Sequence, residues 1–407
     1  MNTGASPGGG TEDSMSMLTR HYVEKKIEEY DRGMFELFGD MEEGSVKSFD
    51  GTRISYRVKG EGMPIILSPG VFTTYMFFEP FKRYFSKNHK VIFWDYRGHP
   101  ESEVPEDLDS ITVHNCARDL KAVMDDAGVE NAIHVGFSMG VMTILELFKL
   151  YPEKVLGLVP INGPYGEVFS PKEKVMETIT DAFNFMSRNP WLVEWFRPIL
   201  VLPINIPIAK KVELNSTMVA SEEMTLYFEY AAKMDWHAGF KALAAMASYK
   251  GEDIIDTVDV PTLLISGTKD SWTPKRIADE MHRRIKNSEY TSIPGGSHAT
   301  PAENPEMINF RIDLFLRTHF ADLMDNWPAV GKKATKKKAA KKKAAKKKAA
   351  SKTPAAKKRA PGKPKKAAAK KRPAAKKKPA AKKPGLLLEP PASAEPLEEV
   401  LEAAENK

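Results

Sequence analysis

The stretch HVGFSMGVM, His134 to Met142, places Gly136-x-Ser138-x-Gly140 between two apolar runs, NAIHVGF before it and VMTILELFKLYPEKV after it. The first run is short and reads as a buried strand; the second is long, with helical spacing. A strand that turns at once into a helix bends sharply at Ser138, so its neighbours must be small. Gly136 and Gly140 meet that need. The hydroxyl is then held up at a helix N-terminus, outside the carboxyl end of a strand. The pattern alone is weak; a strand before it and a helix after it make it specific.

Outward from this turn the same alternation continues. Upstream, SVKSF, RISYRV and MPIILS read as three strands, split by DGT and KGEGM, both with hairpin-turn chemistry. KVIFWDYRG follows as a strand, and VHNCARDLKAVMDDAG as a helix closed by Gly128. Downstream, VLGLVPING is a strand. PTLLISGTKD, PKRIADEMHRRIK, SEYTSIPGGS and NPEMINFRIDLFLRTHF then alternate strand, helix, strand, helix. Such alternation implies an α/β fold with a mostly parallel sheet covered by helices on both faces. Between the two halves, about residues 164–250, lies a segment rich in Met, Phe, Trp and Pro. It is too long for a plain loop and reads as an inserted subdomain.

Ligands of open α/β sheets sit outside the carboxyl ends of the strands, and five of those ends carry something unusual. A serine needs a base, and the base needs an orienting acid. His298, in PGGSHATPAENP after the last strand, supplies the base; Asp270, in SGTKDSWTP, supplies the acid. The chain order Ser…Asp…His suits this architecture. An oxyanion hole needs two backbone N–H donors. Met139 follows the serine. In LSPGVFTT, Gly70 lets the backbone approach and Val71 supplies the second N–H. Asp95 and Arg97, in FWDYRGHPES, are expected to tie down a neighbouring loop rather than to act in chemistry.

With these pieces in place the body resembles the α/β-hydrolase-fold proteins over about Lys47 to Phe320, the insertion excepted. SPGVFTT, DYRGHPES, GFSMG, VPTLLISGTKD and GGSHATPAENPE occur in that family's order. The resemblance implies Ser138 as nucleophile, His298 as base, Asp270 as acid, Val71 and Met139 as oxyanion donors, and no cofactor or metal. Three departures stand out: Pro69-Gly70 replaces the usual His-Gly, Pro100 replaces the second glycine of R-G-x-G-x-S, and Val141 replaces a frequent glycine. The backbone donors survive all three. Serine at the nucleophile position disfavours the epoxide-hydrolase and dehalogenase branches. Esterases, thioesterases, carbon–carbon hydrolases and cofactor-free haloperoxidase-like members stay open. The apolar run FNFMSRNPWLVEWFRPILVLPINIPIAKK in the cap suits a hydrophobic acyl substrate.

Net charge would have pointed elsewhere. The whole chain carries +7, yet Lys332 to Pro384 holds 26 basic residues and no acidic one, leaving residues 1–331 with 34 basic and 48 acidic residues. The basic run repeats KKKAA and then a Pro-interrupted variant, resembling the tails of linker-histone-like bacterial proteins and nucleoid-binding phasins. It lacks aromatic and large aliphatic residues, so it cannot bury a core. Lys336, Lys337, Lys338, Lys341, Lys342, Lys343, Lys346, Lys347 and Lys348 are its densest cluster. They suit non-sequence-specific binding of DNA or another polyanion.

The expected organisation is a disordered N-terminus over 1–17, a helix over 18–44, the α/β-hydrolase domain over 45–325, a linker over 326–331, the disordered basic tail over 332–384, and an acidic segment over 385–407. One cysteine, Cys116, excludes an internal disulfide and fits a reducing compartment. Neither a signal peptide nor a spanning helix is legible, so a cytoplasmic, nucleoid-associated protein is expected. The rival reading is a nucleoid- or polymer-associated protein with a non-catalytic hydrolase fold.

Overall fold

Among the described residues eight strands form one sheet in the order β1-β2-β4-β3-β5-β6-β7-β8. They are β1 (Glu42–Lys47), β2 (Arg53–Lys59), β3 (Pro64–Ser68), β4 (Lys90–Trp94), β5 (Ala132–Phe137), β6 (Val155–Ile161), β7 (Thr262–Gly267) and β8 (Ser288–Ile293). The computed structural model describes residues 10–73, 75–166, 173–189, 191–192, 229–230 and 232–327. The chain divides into units Met1–Lys342 and Lys343–Lys407, and the second lies outside the described residues.

Burial explains the strand order. PIILS, AIHVGF and TLLISG are buried at every position and occupy the interior of the sheet. The edge strands β1 and β8 are mostly exposed or half-buried. From β3 onward neighbouring strands run parallel; β2 runs antiparallel to β1 and to β4. One expectation is corrected here. DGT makes a hairpin between β1 and β2, but KGEGM does not pair β2 with β3. Its glycines Gly60 and Gly62 turn with positive φ, and the chain then crosses over so that β4 lies between β2 and β3. A strand apolar at nearly every position is driven to the centre; β2, whose outer positions are polar, cannot follow it there.

Helices cover both faces, as expected. Among the described residues they include α1 (Gly10–Phe38), α2 (Glu79–Phe85), α3 (Val113–Asp126), α4 (Met139–Leu150), α5 (Glu173–Ser187), α6 (Trp236–Ser248), α7 (Lys275–Arg284), α8 (Thr300–Glu303) and α9 (Pro305–Asp325). Ile66, Ile92 and Leu158 pack on one face with Leu120, Val123, Ile144 and Met281 from α3, α4 and α7. Ile65, Leu67, Ile133 and Val135 pack on the other with Phe38, Phe85, Ile312 and Phe315 from α1, α2 and α9.

The N-terminal boundaries move. Helix α1 begins at Gly10, inside the stretch expected to be disordered, and ends at Phe38, while β1 runs through the expected boundary at 44/45. At the other end a Cβ on Gly39 would lie 2.4 Å from the Phe35 carbonyl oxygen, so glycine permits the exit.

Arg97 ties three elements together. It is buried, grips Asp119 of α3 through Nε and Nη2 at 2.7 Å each, and reaches Asp50 of the DGT turn at 2.7 Å. The Glu101 N–H donates to Asp95 at 2.9 Å, closing the same loop. Both residues thus serve the tie-down expected of them.

Between β6 and β7 the insertion contributes α5 and α6, which pack on each other. The Phe183 and Phe240 rings lie 6.3 Å apart, and His237 Nδ1 meets the Ser187 carbonyl at 2.8 Å. Most of the apolar cap run, from residue 193 on, lies outside the described residues.

Candidate active site

Ser138 joins β5 to α4 with φ 53° and ψ −116°, a conformation that an L-residue adopts at a cost of about 1–3 kcal/mol. The surrounding glycines make it possible. A Cβ on Gly136 would lie 2.5 Å from the Gly140 carbonyl oxygen, and one on Gly140 would lie 2.1 Å from that of Ser68. The turn is therefore pressed against the end of β3. The Ser138 N–H donates to the Ile161 carbonyl at 3.1 Å, which anchors it to β6 as well.

Ser138, His298 and Asp270 come together although 160 residues separate the first two. His298 Nε2 lies 3.1 Å from Ser138 Oγ, and His298 Nδ1 lies 3.0 Å from Asp270 Oδ2. The carboxylate is held on both oxygens. Oδ1 accepts from the N–H groups of Trp272 (2.9 Å) and Thr273 (2.8 Å), while Oδ2 also accepts from the Thr273 hydroxyl at 2.6 Å. Four donors around one buried acid fix its direction. The imidazole has the Phe137 and Trp272 rings as neighbours, at 5.2 and 6.4 Å.

Of the two expected oxyanion donors, Met139 follows the serine directly and Val71 lies in the loop after β3. Met139 opens α4, so its N–H has no acceptor within the helix. Gly70 passes so close that a Cβ there would lie 3.1 Å from that of Ser138, and Val71 follows directly. The Tyr96 hydroxyl donates to the Pro69 carbonyl at 2.8 Å and steadies this loop from the segment after β4.

One residue escaped the sequence reading. Asn162, buried at the carboxyl end of β6 with φ 43°, donates through Nδ2 to the carbonyls of Ser297 (2.9 Å) and His298 (2.8 Å). Its Oδ1 accepts from the Gly267 N–H at 2.8 Å. The signal was present in VLGLVPING: asparagine before glycine at a strand end, one of the few residues at ease in the left-handed region.

The comparisons with known proteins bear on the fold. A family model described as alpha/beta hydrolase fold matches residues 63–197, and one described as TAP-like protein matches residues 239–344. Among solved structures, a thermophilic esterase from Thermogutta terrifontis superposes with a TM-score of 0.57 at 21% identity, over 68% of this chain and 99% of that one. The chain has the α/β-hydrolase fold. A bromoperoxidase from Bacillus anthracis is similar with a TM-score of 0.57 at 20% identity, over 67% of this α/β-hydrolase-fold chain and 100% of its own. Human epoxide hydrolase 4 is 22% identical over 282 residues, 66% of this chain and 76% of its own length.

No helix among the described residues of this hydrolase-fold chain is long and apolar enough to cross a membrane. Among those residues no group of three or more His, Cys, Asp or Glu could hold a metal ion. The lysines from Lys336 to Lys348 lie outside the described residues.

Proposed function

We propose that this protein is a serine hydrolase that cleaves an ester, thioester or related acyl bond of an apolar substrate through an acyl-enzyme. The observation that carries the reading is the unbroken relay from Ser138 Oγ to His298 Nε2 and from His298 Nδ1 to Asp270 Oδ2, at 3.1 and 3.0 Å. Ser138 attacks the carbonyl carbon while His298 takes its proton. The N–H groups of Val71 and Met139 stabilise the oxyanion. His298 then returns the proton to the leaving group, and water activated by the same histidine releases the acid. Phe72, Phe137, Trp236, Phe240 and Trp272 around the site favour an apolar acyl or aryl part.

A fluorophosphonate probe tests the reaction: wild type should be labelled, and Ser138→Ala should not. Absence of labelling on folded wild type would overturn the reading. A screen of p-nitrophenyl esters and acyl-CoAs of graded chain length then defines the substrate. Haloperoxidase-like and carbon–carbon hydrolase chemistry would use the same three residues, and turnover of bromide plus peroxide or of a diketone, with inert esters, would favour those instead.

The basic run supports a second element of the proposal, that residues 332–384 hold the enzyme on DNA or another polyanion. Twenty-six positive charges without an acidic residue or an aromatic ring suit counterion release and not base reading. With about six to ten lysines on phosphates, affinity should fall by ~10³–10⁵ between roughly 50 and 200 mM salt. Truncation after Gly331 should abolish DNA retention and leave turnover intact. Salt-insensitive retention, or retention by the truncated chain, would refute it.

A further inference from the structure

We infer that Phe72 is a positioning residue, through which cap helix α6 holds the oxyanion loop in place. This rests on the serine-hydrolase reading and adds to it a dependence of the oxyanion hole on the cap.

Phe72 has φ 54°, in the left-handed region that a bulky aromatic residue avoids. Such a conformation persists only where the surroundings enforce it. The enforcing surface is one face of α6. Trp236 and Phe240, four residues apart, place their rings 5.2 and 6.3 Å from that of Phe72. Gly239 lies between them, and a Cβ there would come 2.3 Å from Phe72 Cζ. The ring edge thus rests on bare helix backbone, in a notch that only glycine leaves open.

The other end of this short loop is fixed against the nucleophile. Gly70 abuts Ser138, the Thr73 N–H donates to the Gly70 carbonyl at 3.3 Å, and the Thr73 hydroxyl donates to that of Val71 at 3.1 Å. Val71 lies between the two fixed points, and its N–H donates to no atom of the described residues. With Gly70 held by the serine turn and Phe72 by α6, the Val71 peptide has little freedom to rotate. A donor fixed before the charge develops stabilises the transition state more than the substrate.

The test compares Phe72→Ala and Gly239→Ala with wild type, using a substrate from the ester screen and a boronic-acid or trifluoromethyl-ketone analogue of the tetrahedral intermediate. Both variants should lose kcat by ~10²–10³-fold, the loss typical of one oxyanion donor, with KM changed less than about threefold. Analogue affinity should fall in step with kcat/KM. Adding Phe72→Leu to Gly239→Ala removes the ring that the new methyl strikes, and should recover part of the lost kcat. If Phe72→Ala does not fold, Phe72→Leu alone gives the reading, with a smaller loss in kcat at unchanged KM. Folded variants with wild-type kcat and analogue affinity would overturn the inference while Ser138-dependent turnover in wild type upholds the hydrolase. Wild type without Ser138-dependent turnover would overturn both.

Discussion

Asn162 holds the backbone of His298. Its side-chain amide donates to the His298 carbonyl at 2.8 Å and to the Ser297 carbonyl at 2.9 Å, and its oxygen takes the Gly267 N–H. The strand beside the serine therefore fixes the histidine loop and the end of the strand that leads to Asp270.

Asn162→Gly isolates those hydrogen bonds, because glycine accepts φ 43° without strain. Three buried backbone groups lose their side-chain partner, at about 1–3 kcal/mol for each left unsatisfied. Melting should fall clearly, and kcat should fall about tenfold or more with KM little changed. Wild-type kcat at a temperature where the variant is folded would show that the His298 loop holds its position without this clamp.

Gly140→Ala should be worse than its size suggests. The added methyl would lie 2.1 Å from the Ser68 carbonyl oxygen, a backbone atom that cannot step aside without moving β3 or α4. Loss of fluorophosphonate labelling is expected even where the variant remains folded by circular dichroism. Undiminished labelling would mean that the turn tolerates the displacement.

Arg97→Met removes the partner of a buried carboxylate. Asp119 is pushed up by burial and brought down by its hydrogen bonds and attraction to Arg97, so the variant leaves an uncompensated acid. A loss of about 3–5 kcal/mol in urea unfolding at pH 7 is expected. Asp119→Asn added to it should restore part of that loss. A single variant as stable as wild type would mean that water or rearrangement satisfies Asp119.

Two buried groups of the same loop should give stability opposite slopes with pH. Burial raises Asp95 to about 8, so the native state holds a proton that the unfolded chain releases near pH 4. Its contribution is largest below pH 4 and is lost as pH rises toward 8, by about 1.4 kcal/mol per unit. Burial lowers His99 to about 4, so the unfolded chain takes up a proton first, and stability falls as pH drops from about 6.5 to 4. Between about pH 4 and 6.5 the two slopes offset each other, so Asp95→Asn should remove the fall above pH 6.5 and leave a rise with pH below it, while His99→Phe should leave a fall with pH through the whole range, both read by urea titration across pH 4 to 9. A His99→Phe profile parallel to wild type below pH 6.5 would show that His99 is solvated.

Much of this was legible because strand–turn–helix grammar is local. Ser138 was readable from the runs on either side of it, and His298 and Asp270 from their places after apolar strands. Sheet crossing was not readable: KGEGM has hairpin residues, and only competition for the interior sends β3 past β4. The roles of Asn162 and Phe72 depend on which distant backbone comes to lie against them, Ser297 and His298 in one case and Gly239 in the other. No spacing in the chain announces such a meeting.

The sheet order has a consequence for synthesis. Ser138 is translated long before His298, whose loop follows β8, and among the described residues β8 pairs only with β7 at the sheet edge. A nascent chain still lacking that last strand would present a well-formed serine turn with no base beside it. Reactivity toward an activated ester would therefore switch on only once the far edge has docked. On the serine-hydrolase reading, an assay for hydrolysis would then report the meeting of Ser138 with His298, 160 residues apart, a non-local contact of the kind that forms slowly.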